Sequence, residues 1–338
     1  MWDVSFDDMH LERVRASIAI LIGVFGLLFV LARPASAFTV SPIIIDLDID
    51  SGKAAQGALR ISNDAEQTQT YFVSVQKFVA QGEEGQQEFL PEEDRSGLSS
   101  WITPQARAVT LGPKETMDFT YVVNVPERAE PGGHYAAVFF STRPDVQEDS
   151  SSVGMGAKTG ILFLLKVPGD IKEDARVESF RVSGGSRIDR LPAYFELRIR
   201  NLGNVHFRPE GTIVIKNIFG SVAARVPVNP RRSAVLPNSI RRVETAWAKT
   251  FDEVEGEGFI TGVKNEWRNF AIGRYTADLE AIYGSGKQTL RGDVTFWVFP
   301  WRLTVIAVSI LLLLIVLFKL YNRMVIRAAL KQMRSKKM

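Results

Sequence analysis

The chain contains no cysteine. Disulfide frameworks, thiolate nucleophiles and cysteine-bound zinc are therefore excluded. Histidine is almost as scarce: once the leading segment is set aside, only His134 and His206 remain to supply an imidazole. Two such residues are a poor supply for a His-based metal or catalytic site. A phosphate-cradling glycine loop, a nucleophile elbow and a metal-binding helix are missing as well. The sequence thus predicts no catalytic residue, no cofactor and no metal site, and the protein is expected not to be an enzyme. The last 40 residues contain no acidic side chain, which bears on topology.

What is present begins with two apolar ends. Arg13 and Arg15 precede the run from Ser17 to Ala32, and Ala35-Ser36-Ala37 follows. This is the three-part pattern of a signal peptide over residues 1–37, read by Ala35 and Ala37 and cleaved before Phe38. Asp3, Asp7, Asp8 and Glu12 make its start acidic, so an uncleaved anchor helix stands as the alternative. The second run, Leu303 to Phe318, extends to residues 299–320 and reaches the roughly 20 residues that cross a bilayer core. Trp297, Phe299 and Trp301 stand at one edge, Tyr321 at the other, and Lys319 is placed to snorkel. Residues 321–338 then carry Arg323, Arg327, Lys331, Arg334, Lys336 and Lys337. By the positive-inside rule this tail is cytoplasmic and the bulk of the chain lies outside the cell membrane, held by a single pass.

Topology changes the meaning of the charge. The net charge of +3 owes much to the tail, whereas residues 38–169 hold 18 acidic against 10 basic side chains and residues 170–298 hold 16 against 20. No basic domain face is indicated, so nucleic acid is not an expected partner.

Between the ends, short apolar runs alternate with Gly, Pro, Asn and Asp, as in Ala58 to Ser62, Tyr71 to Val75, Phe119 to Val125, Ala136 to Phe140 and Ile161 to Val167. Many short strands at such spacing predict an all-β sandwich or barrel. Three landmarks then occur twice in the same order. Leu59-Arg60-Ile61-Ser62-Asn63 is matched by Leu197-Arg198-Ile199-Arg200-Asn201, Leu111-Gly112-Pro113 by Leu236-Pro237-Asn238, and Gly133-His134-Tyr135 by Gly273-Arg274-Tyr275. A tandem pair of immunoglobulin-like β-sandwich domains explains this, one over residues 38–169 and one over 170–298, followed by one transmembrane helix. Because Arg274 replaces His134 in the second copy, His134 is read as a solvent-facing turn residue, with Gly and Tyr as the shared elements.

Asp46, Asp48 and Asp50 alternate with apolar residues as on a strand, but Ser51 and Gly57 stand where a calcium loop needs Gly and Glu. They read as the charged face of an edge strand. Three longer loops are expected, Gln81 to Ser100, Arg143 to Lys158 and Phe251 to Gly273. In the third, Phe259, Val263, Trp267 and Phe270 recur at spacings of four, four and three, one face of a short helix. Either the helix lies back over the sandwich, or these four residues form a contact surface for a partner or the nearby membrane.

The segments VSPIIIDLDIDSGKAAQGALRISN and SWITPQARAVTLGPKETMDFTYVVNVPERAEPGGHYAAVFF resemble the N-terminal domain of the WxL-interacting proteins of bacterial surfaces. That resemblance implies a signal peptide, an immunoglobulin-like peptidoglycan-binding domain, a second immunoglobulin-like domain, one membrane helix and a basic tail, the order seen here over nearly the whole chain. Residues 170–298 are similar only through NLGNVHF and VLPNS, and the Phe251 to Gly273 insertion departs from the pattern. The expected function is a membrane-tethered binding protein that contacts a cell-wall polymer or another surface protein. The alternative is a tethered assembly factor acting by strand addition. Pilus-assembly chaperones share the general sandwich, but no counterpart of their basic cleft residues is recognisable in the sequence.

Overall fold

A computed structural model describes residues 38–143 and 158–335, with side chains as far as Arg327. The signal segment with Ala35 and Ala37 lies outside the described residues, and Phe38 opens the first strand.

Strands alternate with tight turns throughout, as the apolar alternation requires. The first sandwich comprises β1 (Phe38–Ser41), β2 (Ile44–Asp48), β3 (Ala54–Asn63), β4 (Gln69–Gln81), β5 (Gln86–Phe89), a helical turn α1 (Leu98–Trp101), β6 (Ile102–Pro104), β7 (Ala108–Leu111), β8 (Thr116–Asn124), β9 (Gly132–Ser141) and β10 (Lys158–Val167). One sheet runs β1-β3-β8-β6 and the other β2-β10-β9-β4-β5, with β7 on β4. Leu59, Ile61 and Phe119 from the first meet Tyr71, Val138, Phe140 and Phe163 from the second in one buried core.

The second sandwich repeats the plan with β11 (Ala175–Val182), β12 (Arg187–Ile188), β13 (Ala193–Asn201), β14 (Glu210–Asn217), β15 (Val222–Pro227), β16 (Ile240–Trp247), helix α2 (Phe259–Arg268), β17 (Gly273–Tyr283) and β18 (Gln288–Val298). Its sheets run β11-β13-β16 and β12-β18-β17-β14-β15 around a separate core that includes Phe195, Ile199, Ile213, Leu279 and Phe296. Helix α3 (Trp301–Ser335) follows directly. Within Trp301–Arg327 the most apolar 18-residue window has a mean hydropathy of 2.9, and none of that window is buried. At 1.5 Å per residue Trp301–Arg327 exceeds the roughly 30 Å of a bilayer core. The fold is therefore all-β, two tandem immunoglobulin-like sandwiches with one C-terminal apolar helix.

The duplicated landmarks have a physical basis. Asn63 at the end of β3 is fully buried; its amide donates to the carbonyls of Gln67, Leu111 and Gly112, and its oxygen accepts from Ala65. Asn201 at the end of β13 does the same work, donating to the carbonyls of Val205 and Val235 and accepting from Gly203. Each asparagine ties the end of a strand to the next landmark, which buried backbone polar groups demand. The paired tyrosines both stand near the start of a central strand. Tyr275 packs against Trp247 and Phe296, while Tyr135 points out of its own core toward the other sandwich.

Three expectations are corrected here. His134 is a residue of β9, not of a solvent-facing turn; its Nε2 lies 2.8 Å from the Glu130 carbonyl and its ring packs on Trp101. The Gln81 to Ser100 loop contains β5 and the start of α1, because Gln86–Phe89 folds back on β4. Asp46 is not simply a charge on a solvent face: it reaches across to the second sandwich.

Candidate functional site

Strands β9 and β10 are apolar on both faces. Ala136, Val138, Phe140, Ile161, Phe163 and Leu165 fill the core of the first sandwich, and the alternate residues Ala137, Phe139, Leu162 and Leu164 point out of it. That second apolar face cannot be left wet. It is covered by Phe78 and Tyr135 of its own sandwich and by Ala234 and Leu236 from the β15–β16 connection of the second. The sandwiches thus share an apolar layer.

Polar contacts ring that layer. Glu83 and Glu84 at the tip of the β4–β5 hairpin reach Arg198 and Arg242, which face each other across β13 and β16. The Arg198 Nε donates to Glu83 at 2.6 Å and the backbone N–H of Arg242 donates to the Glu83 carbonyl at 2.8 Å. The Arg198 guanidinium holds the Glu83 carboxyl below the usual carboxylate range. On the other side, Asp46 meets His206 at 3.4 Å and Arg208 at 2.9 Å, and its pKa is lowered, chiefly by the hydrogen bond with His206. The Tyr135 hydroxyl lies 3.2 Å from Nδ1 of the same His206. Burial pushes the Tyr135 phenol well up, so it stays protonated. Asn204 completes the ring, its carbonyl accepting from Gly133 at 2.8 Å.

Between these clamps lies a cleft of about 160 Å³. Its walls are Phe78, Leu162, Leu164 and Leu236, and its rim carries Arg208, Arg231, Arg232 and Arg241. The loop that presents two of these arginines is folded by Asn229, which donates to the Pro209 and Ser233 carbonyls and accepts from the Ser233 N–H. Two of the four guanidinium groups are already engaged, and Arg231 is exposed. Arg208 bonds Asp46 and the Arg232 carbonyl, and Arg232 bonds Glu210. Arg241 differs. It is half-buried and its Nε is buried without a hydrogen-bond partner among the described residues. Desolvation lowers its pKa, with the Glu84 charge acting the other way, yet a guanidinium remains charged at any physiological pH. Its side chain lies across Gly85, where an added Cβ would fall 1.0 Å from Nη1. Gly85 has φ +84°, a conformation that favours glycine, while the guanidinium end of Arg241 is a flexible neighbour that could shift.

An apolar slot with one unspent, partly desolvated guanidinium can hold an anionic group, because charge-assisted hydrogen bonds strengthen where water is excluded. The volume is below the usual range for small-molecule and cofactor sites, and suits a side chain or chain end. Among the described residues no group of three or more His, Asp or Glu is arranged to hold a metal ion.

The four contact residues expected from sequence lie elsewhere, at the far end of the second sandwich. Phe259, Val263 and Trp267 are on α2, while Phe270 lies just beyond it. They do not lie back over the sandwich core: Phe259, Trp267 and Phe270 are exposed and Val263 is half-buried. The cleft arginines were missed, because nothing in the spacing of Arg208, Arg231, Arg232 and Arg241 along the chain places them together. The available signal was the two-faced apolar character of β9 and β10, which announces a second buried surface.

No family model and no curated protein matches the chain. Solved structures with a similar fold include the class 5 fimbriae chaperone CfaA, at 12% identity and TM-score 0.37 over 78% of this chain and 100% of that one. A second is the CsuC–CsuE chaperone–tip adhesion subunit complex of the archaic chaperone-usher Csu pili of Acinetobacter baumannii, at 13% identity and TM-score 0.35 over 77% and 98%. A third is the Salmonella enterica SafA pilin in complex with the SafB chaperone, at 9% identity and TM-score 0.33 over 79% and 99%. At such identities the similarity concerns the sandwich fold and does not extend to what this chain binds.

Proposed function

We propose that the chain is a non-enzymatic, membrane-tethered binding protein, with its two sandwiches outside the cell membrane and its C-terminus in the cytoplasm. The two clamped sandwiches act as one binding unit. The cleft between them receives an anionic group, phosphate or carboxylate, of a cell-wall polymer or of another surface protein. The observation that carries this reading is Arg241, a guanidinium half-buried among apolar walls with its Nε unpartnered. A buried, unsatisfied donor costs on the order of 1–3 kcal/mol, and an acceptor bound on the cleft side of the same guanidinium would offset it. The clamps on both sides of the cleft hold the donor in place, so little further ordering opposes binding.

The absence of cysteine makes the experiment clean. A photo-crosslinker on Ser239→Cys, at the cleft, should attach to envelope polymer or to a surface protein in cells. The same probe on Lys287→Cys, in the β17–β18 turn, should not. Equal labelling at both positions, or none at Ser239→Cys, would overturn the cleft as the site. A second reading has its own observation. Strand β2 covers β10 only from Leu162 onward, so Thr159–Ile161 has no strand on its outer side among the described residues. An assembly factor that adds a strand there would crosslink from Thr159→Cys and not from Ser239→Cys.

A further inference from the structure

Helix α2 is built inside out. Its buried positions are Gly262, Asn265 and Glu266, followed by the capping residue Asn269. Glycine and three polar side chains face inward, where a helix on a water-facing sandwich would put its apolar stripe. Each inward group has a partner. Asn265 exchanges hydrogen bonds with the backbone of Val254, and Asn269 does so with Thr250 and also accepts from the Lys249 N–H. Glu266, 0% exposed, accepts from the Arg302 guanidinium at 3.1 Å and from the Leu303 backbone N–H at 2.9 Å, in the first turn of α3. Gly262 lets the helices approach this closely, since a Cβ there would fall 2.4 Å from the Arg302 Nε. The outward face carries Ile260 and Trp267, 72% and 73% exposed. An apolar face maintained outward by a satisfied polar face inward is suited to a non-aqueous neighbour.

The sheet register shows which neighbour. Strand β18 ends at Val298 and leads through Phe299 and Pro300 into α3. Val298 pairs with Gly273 and Asn217 pairs with Tyr275, so the β14–β15 turn stands at the same end of the sheet as the first turn of α3. The tip of that turn is Phe219, 84% exposed. The opposite end, with the β17–β18 turn at Ser285, meets Glu173 beside the first sandwich. The exposed apolar residues of the turn therefore stand at the same end of the sheet as the first turn of α3, against which α2 packs through Phe259–Trp301 and Glu266–Arg302.

We propose that α2 and the β14–β15 turn rest in the headgroup layer of the outer leaflet and seat the second sandwich on the lipid surface. This rests on the reading of α3 as a bilayer span. Trp267, Ile260 and Phe219 enter the lipid by about 5–10 Å, the depth of interfacial apolar faces, and Lys264 and Arg268 on the same helix are left to meet headgroup phosphates. Asp252, Glu253, Glu255 and Glu257 lie just before the helix, so the attraction is apolar and does not require anionic lipid. The Glu266 contact with α3 fixes the angle between seat and span.

The test uses the full chain in phosphatidylcholine vesicles, with one environment-sensitive fluorophore at a time on Phe219→Cys, Ile260→Cys, Lys287→Cys or Leu312→Cys. Lipids bearing a nitroxide near the headgroup should quench the probes at 219 and 260, and lipids bearing it deep in the chain should quench the probe at 312. Aqueous iodide should reach only the probe at 287, and the pattern should persist in high salt. Iodide quenching at 219 and 260 with deep quenching intact at 312 would overturn the seat and leave the span standing. Loss of deep quenching at 312 would refute the span and the seat together. Probes at 219 and 260 shielded from both quenchers would mean that protein, and not lipid, covers the face, which also refutes the proposal.

Discussion

Replacing Glu266 by alanine should release α2 from α3 without melting the sandwich. The side chain is fully buried and makes two well-formed charge-assisted hydrogen bonds, to the Arg302 guanidinium at 3.1 Å and to the Leu303 N–H at 2.9 Å. The Arg302 N–H, at 3.4 Å, adds little. Two such bonds at roughly 1.5–3 kcal/mol each, with a carboxylate favoured at a helix N-terminus, give a local loss of about 3–6 kcal/mol. At about 1.4 kcal/mol per tenfold, protection of α2 amides should fall by roughly two to four orders of magnitude. Glu266→Gln keeps one acceptor and loses the charge, so its effect should be intermediate. Hydrogen exchange of the full chain in nanodiscs resolves this: faster exchange over residues 259–268, with β13 and β17 unchanged. Wild-type exchange in Glu266→Ala would refute the reasoning, as would uniform loss of protection across the sandwich.

Asn201→Ala should destabilise the second sandwich by about 3 kcal/mol, since it leaves the buried carbonyls of Val205 and Val235 without their donor; denaturant unfolding of the full chain in detergent gives the value. The clamps between the sandwiches should fail in acid. Asp46 and Glu83 both have lowered folded pKa values, so their contribution is complete above the ordinary carboxylate values of about 3.9 and 4.3 and is lost as pH falls through the lower folded ones. Paired spin labels, one on each sandwich, should therefore report a single distance at pH 6 that begins to broaden only below about pH 4; a distance unchanged once both carboxylates are protonated would contradict it. Protease added to intact spheroplasts should digest the two sandwiches and leave a small C-terminal fragment, because the acid-free tail is expected inside.

Much of the fold was legible because strands with one buried face write their period into the sequence. Leu59-Arg60-Ile61 and Leu197-Arg198-Ile199 alternate inward and outward, and the asparagine after each marks a strand end that needs an internal donor. Helix α2 was legible from spacing, but the direction of its face was not. An apolar stripe normally points to the core, and nothing in Phe259, Val263, Trp267 and Phe270 says that Asn265, Glu266 and Asn269 are satisfied inside. Those partners come from Val254, Thr250 and Arg302, which only folding brings together. The cleft was hidden for a related reason. Arg241 becomes special because Gly85 and the β4–β5 hairpin, more than 150 residues earlier, close over it. The opposite charge balance of the two halves hinted at the clamp but could not pair Glu83 with Arg198.

The central claim is that Arg241 offers the two-sandwich unit a charged handle for an anionic ligand. Its most direct test is the affinity of the full chain in nanodiscs for purified envelope polymer and for an acidic-terminated peptide beside its amide. Wild type, Arg241→Ala and Arg241→Lys are compared. At about 1.5–3 kcal/mol for a hydrogen bond to a charged group, Arg241→Ala should lose roughly ten- to a hundredfold in affinity for the ligand that binds. Arg241→Lys should recover part of it, and the wild-type preference for the charged form should weaken in salt. A folded Arg241→Ala protein that binds every one of these ligands as tightly as wild type would contradict the account.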